Sequence, residues 1–218
     1  MAVNETRLLV LGAVSLFEPV NGYQIRRELM SWEVDRWAHI NPGSIYSSLA
    51  TLTKQGHLHR HDVMDGTREV AVYTVSGTGR DELRSLFGHA LETVELLDLL
   101  PLHTALSMCT LFERSVVVGH LERRLVALDA HRSELRAKST LSAAGGVPPH
   151  VVRVLELQVA QAEVERGWVA DVVEEIRAGA FGFAGEPMGW APLPDDPGWQ
   201  MAGDSERYRA LLRLPTAR

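Results

Sequence analysis

The run Asn41-Pro42-Gly43-Ser44 can hardly begin anything but a helix. Asparagine at the cap accepts a hydrogen bond from a free backbone N–H, and proline in the first turn loses nothing by lacking its own. The predicted helix runs to about Gln55, with Gly56 ending it in a left-handed conformation. Advancing about 100° per residue sets Ile45, Leu49 and Leu52 on one face. Gly43, Ser47, Ala50, Thr51 and Lys54 lie opposite, with Ser44 and Tyr46 on the flanks. A face of small residues, hydroxyls and one cation suits entry into a major groove: small residues allow close approach, hydroxyls reach bases or phosphates, and lysine neutralises a phosphate. Many merely solvated helix faces look alike, so the flanking elements decide the meaning of this one.

Before the helix, residues 6–17 are almost continuously apolar and predict a buried helix. Pro19 and Asn21-Gly22 break it, and residues 23–32 follow as an amphipathic segment with Arg26, Arg27 and Glu28 on its polar side. After it, residues 57–63 and 69–75 read as strands around Asp65-Gly66, a tight-hairpin signal. Three short helices and a hairpin make a winged helix-turn-helix, with Arg68 as the wing's cation.

Beyond residue 80 the pattern becomes helical. Thr78 with Asp81 resembles a capping box, opening a helix expected to reach about Leu100. Val118, Leu121, Leu125, Leu128, Arg132 and Leu135 follow heptad spacing, as do Val151, Leu155, Gln158, Ala162, Glu165, Val169, Val172 and Ile176. Gly145-Gly146-Val147-Pro148-Pro149 separates them, so an antiparallel helical hairpin is expected. Each helix carries more apolar surface than one partner covers, which makes a second copy of the chain the simplest cover. Leu121, Leu125, Leu128, Leu155, Val169, Val172 and Ile176 are the candidate dimerisation residues. Residues 181–203 turn Gly/Pro-rich, with Trp190 and Trp199 expected to dock on the helical body; Asp204 could cap a last helix over 205–214. The expected fold is mainly α with a small β-hairpin: winged domain 1–80, antiparallel helical dimerisation domain 81–180, tail 181–218.

Net charge is −6, which argues against a wholly basic coat for nucleic acid. The first 80 residues hold eight cations and eight carboxylates, so the whole excess lies in the rest and the N-terminal part is the likelier to meet a polyanion. Residues 8–17 look like the apolar part of a secretory signal, but Glu5 before them and Glu18-Pro19 after them do not fit one, and a cytoplasmic location is expected. One cysteine, Cys109, excludes an intrachain disulfide, and its apolar neighbours suggest an inert thiol. His57, His59 and His61 alternate toward one face, the basis of a metal-sensing alternative; no further ligand pattern accompanies them, and no metal or cofactor is expected. No catalytic motif is present, so the chain reads as a binding protein and not an enzyme.

Three segments resemble the PadR-type transcriptional regulators: GYQI at 22–25, NPGSIYSSLATLTKQGHL at 41–58 and VYTVSGTGRDEL at 72–83. Pro42-Gly43-Ser44-Ile45-Tyr46 matches the run that opens the family's recognition helix, and Tyr73-Thr74-Val75-Ser76 with Gly79 matches the run that closes its wing. Val70-Ala71 stand where relatives usually carry a basic pair, leaving Arg68 nearly alone. The helical half resembles the dimerisation domain of the virulence-activator (AphA-like) branch, with Trp168 late in its last long helix. The resemblance implies a homodimeric, sequence-specific DNA-binding regulator, more often a repressor, released by a small hydrophobic or aromatic effector for which Trp37 and Trp168 are candidate pocket residues. Its DNA contacts would come from Tyr23, Arg26, Arg27, Asn41, Ser44, Tyr46, Ser47, Thr51, Lys54 and Arg68. The alternative is a winged protein-interaction module without DNA binding.

Overall fold

The computed structural model describes residues 2–143, 145–187, 189, 191, 193–196 and 198–214. They form two compact units, the first made of residues 1–87 and 189–218, the second of residues 88–188. The described residues from 189 to 214, expected as part of a separate tail, therefore belong to the first unit. No helix among the described residues is long and apolar enough to cross a membrane.

In the first unit α1 (Ala2–Phe17) is the buried helix its composition predicts, with Leu8, Leu9, Leu11 and Val14 sealed from solvent. It packs on α2 (Gly22–Ser31), α4 (Pro42–Lys54) and strand β3 (Arg68–Val75). Each sealed leucine or valine contributes about 1.5–3 kcal/mol. A short helix the sequence does not announce, α3 (Val34–Trp37), turns the chain between α2 and α4 and buries Val34. Gly22 lets the start of α2 approach α4, since a Cβ there would lie 3.2 Å from the Tyr46 ring.

The hairpin is longer than expected: β2 (Leu58–Asp65) pairs antiparallel with β3, Leu58 opposite Val75 and Asp65 opposite Arg68. Gly66, at φ +63°, is the first of its two turn residues. A two-residue strand, β1 (Val20–Asn21), joins the far edge of β3, giving the order β1-β3-β2. The helix that leaves the sheet, α5 (Gly77–Glu92), is capped by Ser76 and not by the expected Thr78. Ser76 Oγ accepts from the Gly79 N–H at 2.9 Å, whereas Asp81 pairs with Arg84. Gly79 is there for space: a Cβ would lie 2.0 Å from the His57 carbonyl oxygen.

In the second unit α5 ends at Glu92 and not near Leu100, and α6 (Leu100–Ser107) starts with its proline in the first turn. A single 3₁₀ turn (Cys109–Leu111) leads to α7 (Arg114–Ala143) and α8 (Pro149–Arg177). These two make the antiparallel hairpin: Glu122–Arg177, Asp129–Arg166 and Arg136–Glu163 pair down its length, rising on one helix as they fall on the other. Its centre holds a charge the heptad reading passed over. Arg124 is 1% exposed, with Nε 2.6 Å from Glu165 Oε1 and Nη1 donating to the carbonyls of Leu91 and Thr93. All of these acceptors are needed, because a buried guanidinium is tolerable only when paired and fully hydrogen-bonded.

The last helix, α9 (Gly198–Leu212), begins earlier than expected, and Asp204 lies inside it, accepting from Gln24 Nε2 at 2.7 Å. The expected docking of the tail on the helical body is corrected: α9 packs on α1, β1 and β2 of the winged unit through buried Met201 and Tyr208. Trp190 lies outside the described residues, and Trp199 is exposed, its indole N–H donating to the Leu193 carbonyl.

Candidate nucleic-acid interface

The reading helix is set by its two ends and one sealed face. Asn41 Oδ1 accepts from the Ser44 N–H at 2.9 Å, Pro42 fills the first turn, and Gly56 at φ +78° ends the element. Ile45, Leu49 and Leu52 are buried. That fixes the rotation of α4 and leaves Gly43, Tyr46, Ser47, Ala50, Thr51 and Lys54 exposed, with Ser44 half-buried. Asn41 is exposed, and with its Oδ1 accepting the cap bond its side-chain N–H₂ remains as a donor. Beside this face Ser44, Ser47, Ser48 and Thr51 border a hollow of about 440 Å³ shared with Thr6 and His39.

On α2, Asn21 and Gln24 form a reciprocal capping box. Tyr23 is exposed, whereas Arg26 and Arg27 are half-buried. Gln24 is buried, so the polar side of α2 is narrower than its sequence suggests. On the wing Arg68 is exposed at the tip, and Arg60 is paired with Asp62 at 2.9 Å.

The three histidines do not gather into a metal site. His61 Nε2 is 3.0 Å from Thr74 Oγ1, and its ring centroid is 6.3 Å from that of His59. Burial and the neighbouring His59 hold the His61 imidazolium below its usual range. Among the described residues no group of three or more His, Cys, Asp or Glu side chains is placed to hold a metal ion. Cys109 is half-buried, and burial pushes its thiol up, away from a reactive thiolate.

On the helical hairpin most of the candidate dimerisation residues turn inward. Leu121, Leu128, Val169 and Ile176 are buried within a single chain, and Leu125, Leu155 and Val172 are half-buried. Packing of α7 on α8 covers that stripe. A second stripe that the sequence reading did not separate from it, Val154, Leu157, Gln161, Val164 and Trp168, repeats the same 3,4 spacing on α8. It stays open, with Leu157 58% and Val164 74% exposed. Leu157, Val164 and Trp168 form one wall of an apolar groove of about 680 Å³, with Leu99, Leu102 and Leu106 on the other side. Trp168 thus lines a cavity, whereas Trp37 belongs to the winged unit, where its indole N–H donates to the Trp32 carbonyl.

Residues 10–85 match the family described as "Transcriptional regulator PadR-like family". The match runs from within α1 to the first turns of α5, leaving out α9 and the helical hairpin. No curated protein matches the chain. Among solved structures, Bacillus subtilis PadR in complex with operator DNA is 21% identical, with 77% of this chain and 97% of that one covered and a TM-score of 0.32. A PadR-like transcriptional regulator from Bacillus cereus is 19% identical, covering 80% and 99%, at a TM-score of 0.32. Bacillus subtilis PadR in complex with p-coumaric acid is 18% identical, covering 79% and 97%, at a TM-score of 0.30.

Proposed function

Because residues 10–85 of this chain are a domain of the PadR-like transcriptional regulator family, we propose that the protein is a sequence-specific DNA-binding repressor that works as a homodimer. It is a regulator and not an enzyme. The observation that carries the reading is the orientation of α4: three apolar residues lock it to the core, and Ser47, Ala50, Thr51 and Lys54 all remain outside. Each subunit places Pro42–Lys54 in a major groove. Ser44, Ser47 and Thr51 make the polar contacts, Lys54 meets a phosphate, and Tyr46 touches backbone. Tyr23, Arg26 and Arg27 hold adjacent phosphates from α2, the amide of Asn41 adds one donor, and Arg68 serves the wing.

The helical unit is the dimerisation domain in this reading. Its contact lies on the open stripe of α8, because the other stripe is already covered by α7. A small hydrophobic or aromatic effector would use the room left in the groove beside Trp168, and its binding would change the spacing of the two reading helices. Such a regulator works in the cytoplasm, where its operator is.

A mobility-shift titration against DNA from the protein's own promoter region, with unrelated competitor present, tests the proposal. A complex that survives competitor is expected. No complex, or one that unrelated DNA displaces equally well, overturns sequence-specific binding and leaves the winged fold as a protein-interaction module.

A further inference from the structure

The wing tip poses an electrostatic problem that a residue far along the chain solves. Asp65 and Arg68 stand directly opposite each other across the turn, the arrangement in which opposite charges ordinarily pair. Paired with Asp65, Arg68 would offer a phosphate no net charge. It is not paired so: Asp65 Oδ2 accepts from Arg207 Nη2 of α9 at 2.9 Å. Among the described residues Arg68 has no ion-pair partner. Its neighbour Glu69 points to the opposite face of the strand, and Asp62 is held by Arg60.

Arg207 has further partners on its own helix. It pairs with Asp204 at 2.9 Å, and its guanidinium carbon lies 5.5 Å from the centroid of the Tyr208 ring. Tyr208 is buried, and its hydroxyl accepts from Asn21 Nδ2 at 3.0 Å. Asn21, Val72 and His61 are register partners on one sheet face, so Tyr208 covers the side of the wing turned away from β2's Leu58. Asp204 accepts from Gln24, and Ser205 and Arg209 donate to the Glu18 carbonyl. The helix is thus anchored at the β1–α2 junction and reaches the wing tip from there.

We propose that Arg207 is a positioning residue of the DNA interface: by engaging Asp65, it keeps that carboxylate from pairing with Arg68 and leaves Arg68 available to a backbone phosphate. This rests on the DNA-binding reading above. It gives α9 a role within the reading unit, at a wing tip whose arginine is Arg68.

The test is a promoter-DNA titration of the full chain at several salt concentrations. Arg207→Ala is expected to weaken binding about fivefold and to lower the salt slope by about 1, the signature of one lost phosphate contact. Arg207→Lys, which keeps the charge but not the planar fork, should lose less than Arg207→Ala. The deciding variant is Asp65→Asn with Arg207→Ala: with no carboxylate to capture Arg68, affinity and slope should return to nearly wild type, although the clamp is gone. A merely structural role for Arg207 gives no such rescue. An Arg207→Ala loss that persists in the Asp65→Asn background, or no loss at all, overturns the proposal. If Lys54→Ala weakens binding while Arg207→Ala does not, this inference alone fails. If the wild type forms no complex, both readings fail.

Discussion

Helices α4 and α8 each turn one apolar stripe inward and leave another face open, yet the open faces differ in kind. That of α4 is small, hydroxylated and ends in Lys54; that of α8 is Val154, Leu157, Val164 and Trp168 around Gln161. Water tolerates the first without penalty. The second costs about 25 cal/mol for each Å² of apolar surface left wet, which favours a protein cover. One face therefore suits a polar, charged partner such as duplex DNA, and the other suits a second protein surface. The lesson is that an amphipathic helix is read by its outward face, since both inward stripes look much the same.

Arg124→Met strands the Glu165 carboxylate in the hairpin and should cost the helical unit about 3–5 kcal/mol, read as an earlier unfolding transition in urea. An unchanged transition would mean that the hairpin is not closed as described. Next, Val164→Asp places a charge on the open stripe of α8. Sedimentation should show the mass halved, with association weakened by about 2 kcal/mol or more and the unfolding of the unit itself shifted by no more than about 0.5 kcal/mol. A variant that sediments like the wild type would remove α8 from the interface.

The same experiment on α4 sharpens the contrast. Ser47→Asp should leave stability within about 0.5 kcal/mol and the mass unchanged, while DNA affinity falls by about 1–3 kcal/mol because a carboxylate now faces phosphates and base edges. Loss of dimer with retention of DNA binding would invert the assignment of the two faces. The smallest effect belongs to Lys54→Ala, expected to weaken binding to all sequences alike and to make the salt slope shallower by about 1. A slope that does not move takes Lys54 out of the phosphate contacts.

What the sequence discloses depends on whether the deciding contact is local. Every determinant of α4 lies within or beside it: Asn41, Pro42, Gly56 and the spacing of Ile45, Leu49 and Leu52, so both of its faces can be read from the chain. On α8 two stripes share one spacing and similar hydrophobicity, and no local signal says which turns inward. The inward stripe carries Glu165, whose partner Arg124 is 41 residues away. Heptad logic stops at Arg132 as the polar interruption, but Arg132 is half-buried and pairs with Asp129 on its own helix. In the tail, the spacing of Tyr208, Leu211 and Leu212 does suggest a helix, but where it docks depends on Asn21 and Asp65 at the other end of the chain. The two-residue strand β1 is shorter than any period that could reveal it.

Two copies of α4 in major grooves of one duplex would cover guanine N7, which is exposed only there. Methylation protection on promoter DNA bound by the protein should show two protected patches with centres about 10–10.5 bp apart, or a multiple of that. Binding that leaves every N7 open to methylation, or that protects a single patch at saturation, would contradict it.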